Sequence, residues 1–173
     1  IKIIHDYNRK IYYCEEFACW YFARALLIPE TLQIENIIKK NYKNSTPDFY
    51  ELEQLRNAFN VSYSILLNRY IKDLKLWQDS SMCICRFLDG EFKINREDVF
   101  YSENIKGLSL SSKSGIILSN NHFLKKMSRY MYGNEKTFSN YYIKRRNNKF
   151  IISCYNYSNK PPSFIIKIKK ITN

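Results

Sequence analysis

Apolar residues recur at helical spacing through the first part of the chain and at alternate positions through the second. Over Glu15–Pro29, Phe22, Ala25, Leu26 and Pro29 fall at helical spacing behind Ala18. The pattern predicts a helix with one apolar face and Glu16 near its head. Glu15 and Glu16 suit a first turn through the helix dipole, and Pro29 ends the helix. Glu30–Tyr42 sets Leu32, Ile34, Ile37 and Ile38 among lysines and predicts a second, amphipathic helix. Asn44–Asp48 is a turn cluster, from which Asp48 caps a helix over Tyr50–Ala58 with Leu52, Leu55 and Phe59 as its stripe. Asn60-Val61-Ser62 is a tight turn, and Ser62 caps a further helix lined by Ile65, Leu66, Arg69, Tyr70 and Leu74. Helix, short turn, helix is the order of a helix-turn-helix unit. The exposed front of its second helix is read as Tyr63, Ser64, Leu67 and Asn68.

Beyond Trp77–Ser80 the period changes. Met82–Phe87, Glu91–Ile94, Gly115–Ser119, Ser139–Lys144, Phe150–Tyr157 and Phe164–Ile171 read as strands rich in Ile, Tyr and Phe. Asp89-Gly90, Arg146-Asn147-Asn148 and Asn159-Lys160-Pro161-Pro162 are turn signals between them. Asn121–Tyr132 is the one helical stretch in this half, stopped by Gly133. The expected class is α+β: an N-terminal helical region with a helix-turn-helix-like unit, then an antiparallel-sheet module.

Charge divides the chain the same way. Residues 1–47 are net +2, residues 48–80 net −1, and residues 81–173 carry 17 basic against 6 acidic groups, net +11. We read these as three units: a helical region (1–47), a helix-turn-helix-like connector (48–80) and a basic α+β module (81–173). Cations and aromatics interleave in Lys125-Lys126-Met127-Ser128-Arg129-Tyr130 and in Tyr141-Tyr142-Ile143-Lys144-Arg145-Arg146. Lys167, Lys169 and Lys170 follow on the last strand. Such a surface suits single-stranded nucleic acid or another anionic ligand, through stacking and charge. Lysines also protect a solvated strand edge, and the two readings stand side by side.

The five cysteines include no CxxC pair and are expected to be reduced core residues, with Cys83 and Cys85 on one strand face and Cys154 apart. His122 reads as a surface residue. No apolar run approaches membrane-spanning length and no signal-peptide architecture opens the chain, so a cytoplasmic location without membrane association is expected.

Two stretches carry a resemblance. Glu16, Phe22, Ala23, Ala25, Leu26, Leu27 and Pro29 resemble the E-x-E-A-N-x-F-A-x-x-L-L-M-P segment of the ImmA/IrrE family of zinc metallopeptidases. Ala18 replaces the second Glu of that segment, Trp20 its Asn and Ile28 its Met. Leu55, Phe59, Val61, Ser62, Arg69 and Leu74 match in order the segment that follows in the family, while Arg56 stands where a small residue is usual. The resemblance implies that Glu16 is the third zinc ligand of a parent enzyme, downstream of an H-E-x-x-H helix that supplies two His ligands and the general base. It also implies a GAF-like sensor fold for the basic module. The chain contains no H-E-x-x-H, and His5 lacks the neighbours such a motif requires. Zinc catalysis needs three protein ligands and an open position, so zinc is expected in the intact parent and not in this chain, and the chain alone is expected to be inactive. The initial Ile suggests a chain entered after that helix.

Two functions follow. By resemblance, this is the C-terminal part of a metallopeptidase that cuts a helix-turn-helix repressor and so derepresses genes of a mobile element or a stress response. Alternatively it is a non-catalytic basic regulator, or a phage-type inhibitor, that binds nucleic acid or an acidic protein surface through residues 125–170.

Overall fold

The computed structural model describes residues 2–29, 45–88, 91–94, 98–102, 137–145, 148–159 and 162–171. Among them the chain is α+β: three α-helices are followed by a sheet whose strand pairs are all antiparallel. The expected helices at Glu30–Tyr42 and Asn121–Tyr132 and the expected strand at Gly115–Ser119 lie outside the described residues. So do Asp89-Gly90, Arg146-Asn147 and Lys160-Pro161 of the expected turns.

Helix α1 (Lys2–Leu27) ends where expected, at Ile28 and Pro29, but opens far earlier than Glu15. No Gly or Pro interrupts Lys2–Cys14, so nothing in that stretch stops the helix. Glu15 and Glu16 are therefore interior residues of α1 and not its first turn.

Helix α2 (Phe49–Phe59) is closed at both ends by local chemistry. The Asp48 carboxylate accepts from the Glu51 amide at 2.8 Å, and Glu51 accepts from the Asp48 amide, a complete capping box. Asn60 closes the other end in the left-handed region (φ 50°), a conformation Asn tolerates well. Ser62 then caps α3 (Tyr63–Leu67) through the Ile65 amide, as expected.

From Asn68 the helix widens into a π-helical stretch, Asn68–Asp73, where a continuous α-helix was expected. Three consecutive residues of this stretch, Arg69, Tyr70 and Ile71, are buried. The chain leaves the stretch through Lys75 and Trp77, both at positive φ. The Trp77 ring, fully buried, stacks on Tyr70 at 4.3 Å.

The sheet runs in the order β2 (Glu91–Lys93), β1 (Ser80–Leu88), β6 (Pro162–Ile171), β5 (Asn148–Asn159), β4 (Thr137–Arg145). A short strand not expected from the pattern, β3 (Val99–Phe100), pairs with the other end of β1's outer edge. The expected strands at Met82, Glu91, Ser139, Phe150 and Phe164 are all present, each within a few residues of its reading.

Both faces of the central strands are buried. Met82, Ile84, Phe100, Tyr155 and Ile165 join Ile28, Leu52, Leu66 and Trp77 in a core between the sheet and the helices. Residues from all three sequence segments thus contribute to one hydrophobic cluster. On the reverse face Cys83, Cys85, Phe150, Ile152, Cys154, Phe164, Ile166 and Ile168 form a second cluster. Cys154 is therefore not apart, since Cys83 and Cys154 both pair with Ile166. The free thiols of Cys83, Cys85 and Cys154 are buried, whereas Cys14 and Cys19 are exposed rather than in a core. Among the described residues no helix is long and apolar enough to cross a membrane.

Candidate functional site

The side chains picked out from sequence fall in three places, and the structure sorts them by which face of an element they occupy.

Glu16 lies on an exposed part of α1. Among the described residues no group of three or more His, Cys, Asp and Glu gathers as a metal site. Around it α1 presents exposed aromatics, including Phe17 and Trp20. The far end of the helix is anchored. Arg24 donates two hydrogen bonds to Asp73, at 2.8 and 2.9 Å, and Arg69 donates through Nε to the Ile28 carbonyl at 3.1 Å. The Arg69 guanidinium also lies over the Tyr21 ring. Asp73 is nearly fully buried, so this ion pair is shielded from solvent and fixes α1 against the π-helical stretch.

The expected front of the second helix is a correction. Tyr63 and Leu67 are buried, and Ser64 and Asn68 are only partly exposed. Tyr63 and Leu67 belong to the core between helices and sheet, which claims this side of α3.

The basic residues of the last strands divide between two faces because strand side chains alternate. Lys170 is exposed on the face that carries Phe150, its cross-strand partner. Lys167 and Lys169 lie on the opposite, helix-bearing face, with Ile165. Lys167 points inward: its ammonium donates to the Pro47 carbonyl at 3.0 Å and lies over the Phe49 ring. Burial holds its pKa below the ordinary lysine value, against a smaller opposite pull from Asp79. Lys167 is thus a tie between β6 and the segment before α2. Lys169, half-exposed, forms an ion pair with Asp79 at 2.9 Å.

Beyond Lys169 the helix-bearing face opens. Lys144 of β4 sits directly opposite Lys149 of β5, and both are exposed. In the next row Tyr142 opposes Ile151, which in turn opposes Lys169. Tyr142 is 64% exposed. Two adjacent rows of one open sheet face therefore carry Lys144, Lys149, Tyr142 and Lys169. Among the described residues no acidic side chain pairs with Lys144 or Lys149.

The placement of Arg145's side chain, and of Lys125, Lys126, Arg129 and Arg146 altogether, lies outside what is described. Lys149 was not singled out from sequence. It sits in a turn-flanking Asn-Asn-Lys run, and only the β4–β5 register brings it opposite Lys144.

Comparison with known proteins finds no matching family model, no matching curated protein and no matching solved structure.

Proposed function

We propose that this chain is a non-catalytic binding module that takes single-stranded nucleic acid on the open face of β4, β5 and β6. The observation that carries the reading is the opposition of Lys144 and Lys149. Like charges directly across an antiparallel pair destabilise the sheet. Edge protection accounts for a lysine on β4, the outer strand, but not for a second one facing it from the interior strand β5. An anion lying along the two rows turns that repulsion into attraction. Tyr142 beside the lysines offers a ring on which a base stacks, a contact that tolerates any sequence. The remaining positive charge of residues 81–173 adds to the field that draws a polyanion in. Fluorescence anisotropy with a labelled oligothymidylate tests this. Binding that is lost in the double variant Lys144→Glu/Lys149→Glu and weakened in Tyr142→Ala supports it. Equal binding by all three proteins contradicts it, and capture of acidic peptides instead would favour an acidic protein partner.

A second reading keeps the ImmA/IrrE resemblance, and one observation favours it. The two resembling stretches meet, through Arg24 with Asp73 and Arg69 with the Ile28 carbonyl. Arg69 is itself one of the matched residues. In this reading α2, the Asn60–Ser62 turn and α3 form a helix-turn-helix-like connector, and the sheet is a GAF-like sensor. Glu16 would be a zinc ligand in a parent peptidase acting on a repressor. An H-E-x-x-H encoded just upstream of Ile1 would support this, and a different upstream sequence would count against it.

A further inference from the structure

A cleft of about 280 Å³ opens on the helix-bearing face, lined by residues of α2, the α2–α3 turn, α3, β1 and β5. It lies around Tyr157, eight residues along β5 from Lys149 and so roughly 25 Å from the basic rows at the rise of a strand. The cleft shares that sheet face but lies apart from the basic rows.

Its polar groups converge. Arg56 stands in the last turn of α2, its guanidinium 5.2 Å from the centre of the Tyr63 ring. One end of that guanidinium donates to the Asn57 side chain, but its Nε is buried with no hydrogen-bond partner. Tyr63 is only 4% exposed. Its hydroxyl is buried within reach of Arg56 and Tyr155, with Glu53 near it. A buried donor left without an acceptor is unfavourable, and the Arg56 Nε–H calls for one. Arg86 adds a second cation, held in place by its ion pair with Asp98.

The lining also has apolar surface, in Ile84 and in the Tyr157 ring tilted against Tyr63 at 4.9 Å. Glu53 in the same lining repels a ligand of high negative charge such as a polyphosphate.

We propose that this cleft binds a small oxyanion on a ring-shaped apolar body, a phosphate monoester or a carboxylate. The oxyanion accepts from Arg56 and Tyr63, with Arg86 as the second cation, while the body lies against Ile84 and Tyr157. A charge-assisted hydrogen bond of this kind is worth about tenfold or more in affinity.

The test is a titration of the full chain, labelled with nitrogen-15, with phenyl phosphate and separately with phenylacetate, followed by NMR. Saturable shifts of the Arg56 Nε–H and the Ser64 amide are expected, with affinity reduced about tenfold in Arg56→Gln. The tighter of the two ligands distinguishes phosphate from carboxylate. Inorganic phosphate, lacking the ring, is expected to bind more weakly than phenyl phosphate. If Arg56→Gln fails to fold, Ser64→Phe fills the cleft from its half-buried rim and should abolish the shifts. No saturable shift by about 10 mM of either ligand overturns the proposal. So does unchanged affinity in the variants, or inorganic phosphate binding as tightly as phenyl phosphate.

Discussion

Lys144 and Lys149 face one another across β4 and β5 on the open side of the sheet. A cross-strand pair contributes about 0.2–1 kcal/mol by its character, and like charges enter with the unfavourable sign. Replacing either lysine with Glu turns repulsion into attraction. Lys144→Glu is therefore expected to raise unfolding stability by about 0.5 kcal/mol while weakening nucleic-acid binding. Urea denaturation alongside anisotropy checks both. A loss of stability would mean that the two ammonium groups do not interact in the folded protein.

Asp73 holds two arginines, directly at Arg24 and at 3.9 Å at Arg69. Asp73→Ala leaves both cations largely buried without their partner, and about 3 kcal/mol of stability should go with it. Because this clasp anchors the end of α1, hydrogen exchange at Arg24–Ile28 should rise more than at the sheet. A uniform rise would show instead that α1 and the sheet open together.

The acid limit of stability should depend on Asp79. Burial alone would raise its pKa, but hydrogen bonds from Thr46 and the ion pair with Lys169 outweigh it, leaving it below its ordinary 3.8. A carboxylate depressed on folding stabilises the protein above its unfolded value, and that contribution fades as pH falls below about 4 towards the folded pKa. Thermal melts from pH 6 to about pH 2 should show a steeper acid loss in the wild type than in Asp79→Asn. Parallel curves would remove Asp79 from the account.

Thiol reactivity should separate the cysteines cleanly. Burial pushes the Cys83 and Cys154 thiols well above their usual value and the Cys85 thiol to about 12, so all three stay protonated and covered. In native protein a thiol reagent should label Cys14 and Cys19, and the other three only after unfolding. Labelling of Cys83 under native conditions would show that the reverse face of the sheet opens easily.

Much of this architecture was legible because its signals are local. Asp48, Asn60 and Ser62 each place a helix end through bonds within a few residues, and alternation at Phe150 and Phe164 marks strands without reference to the rest of the chain. The opening of α1 was not legible, because Glu15 and Glu16 imitate a first turn and only the absence of a breaker before them says otherwise. The π-helical stretch was missed because its apolar spacing passes for an ordinary helix. The basic face was half legible. Alternation in Phe164–Lys170 separates Lys167 and Lys169 from Lys170, but Phe164, Ile165 and Ile166 are all buried, so the pattern could not say which face lies open. The register of β4 on β5 decides that, and register is a tertiary fact.

The most direct test is the salt dependence of oligothymidylate binding. Neutralising phosphates with Lys144, Lys149 and neighbouring cations releases counterions, so log K should fall linearly with log salt, with a slope of about −2 for roughly three contacts on a single strand. In the Lys144→Glu/Lys149→Glu variant the slope should collapse towards zero along with the affinity. Binding that is insensitive to salt, or that keeps its slope in this variant, would contradict the assignment of the open sheet face as the binding surface.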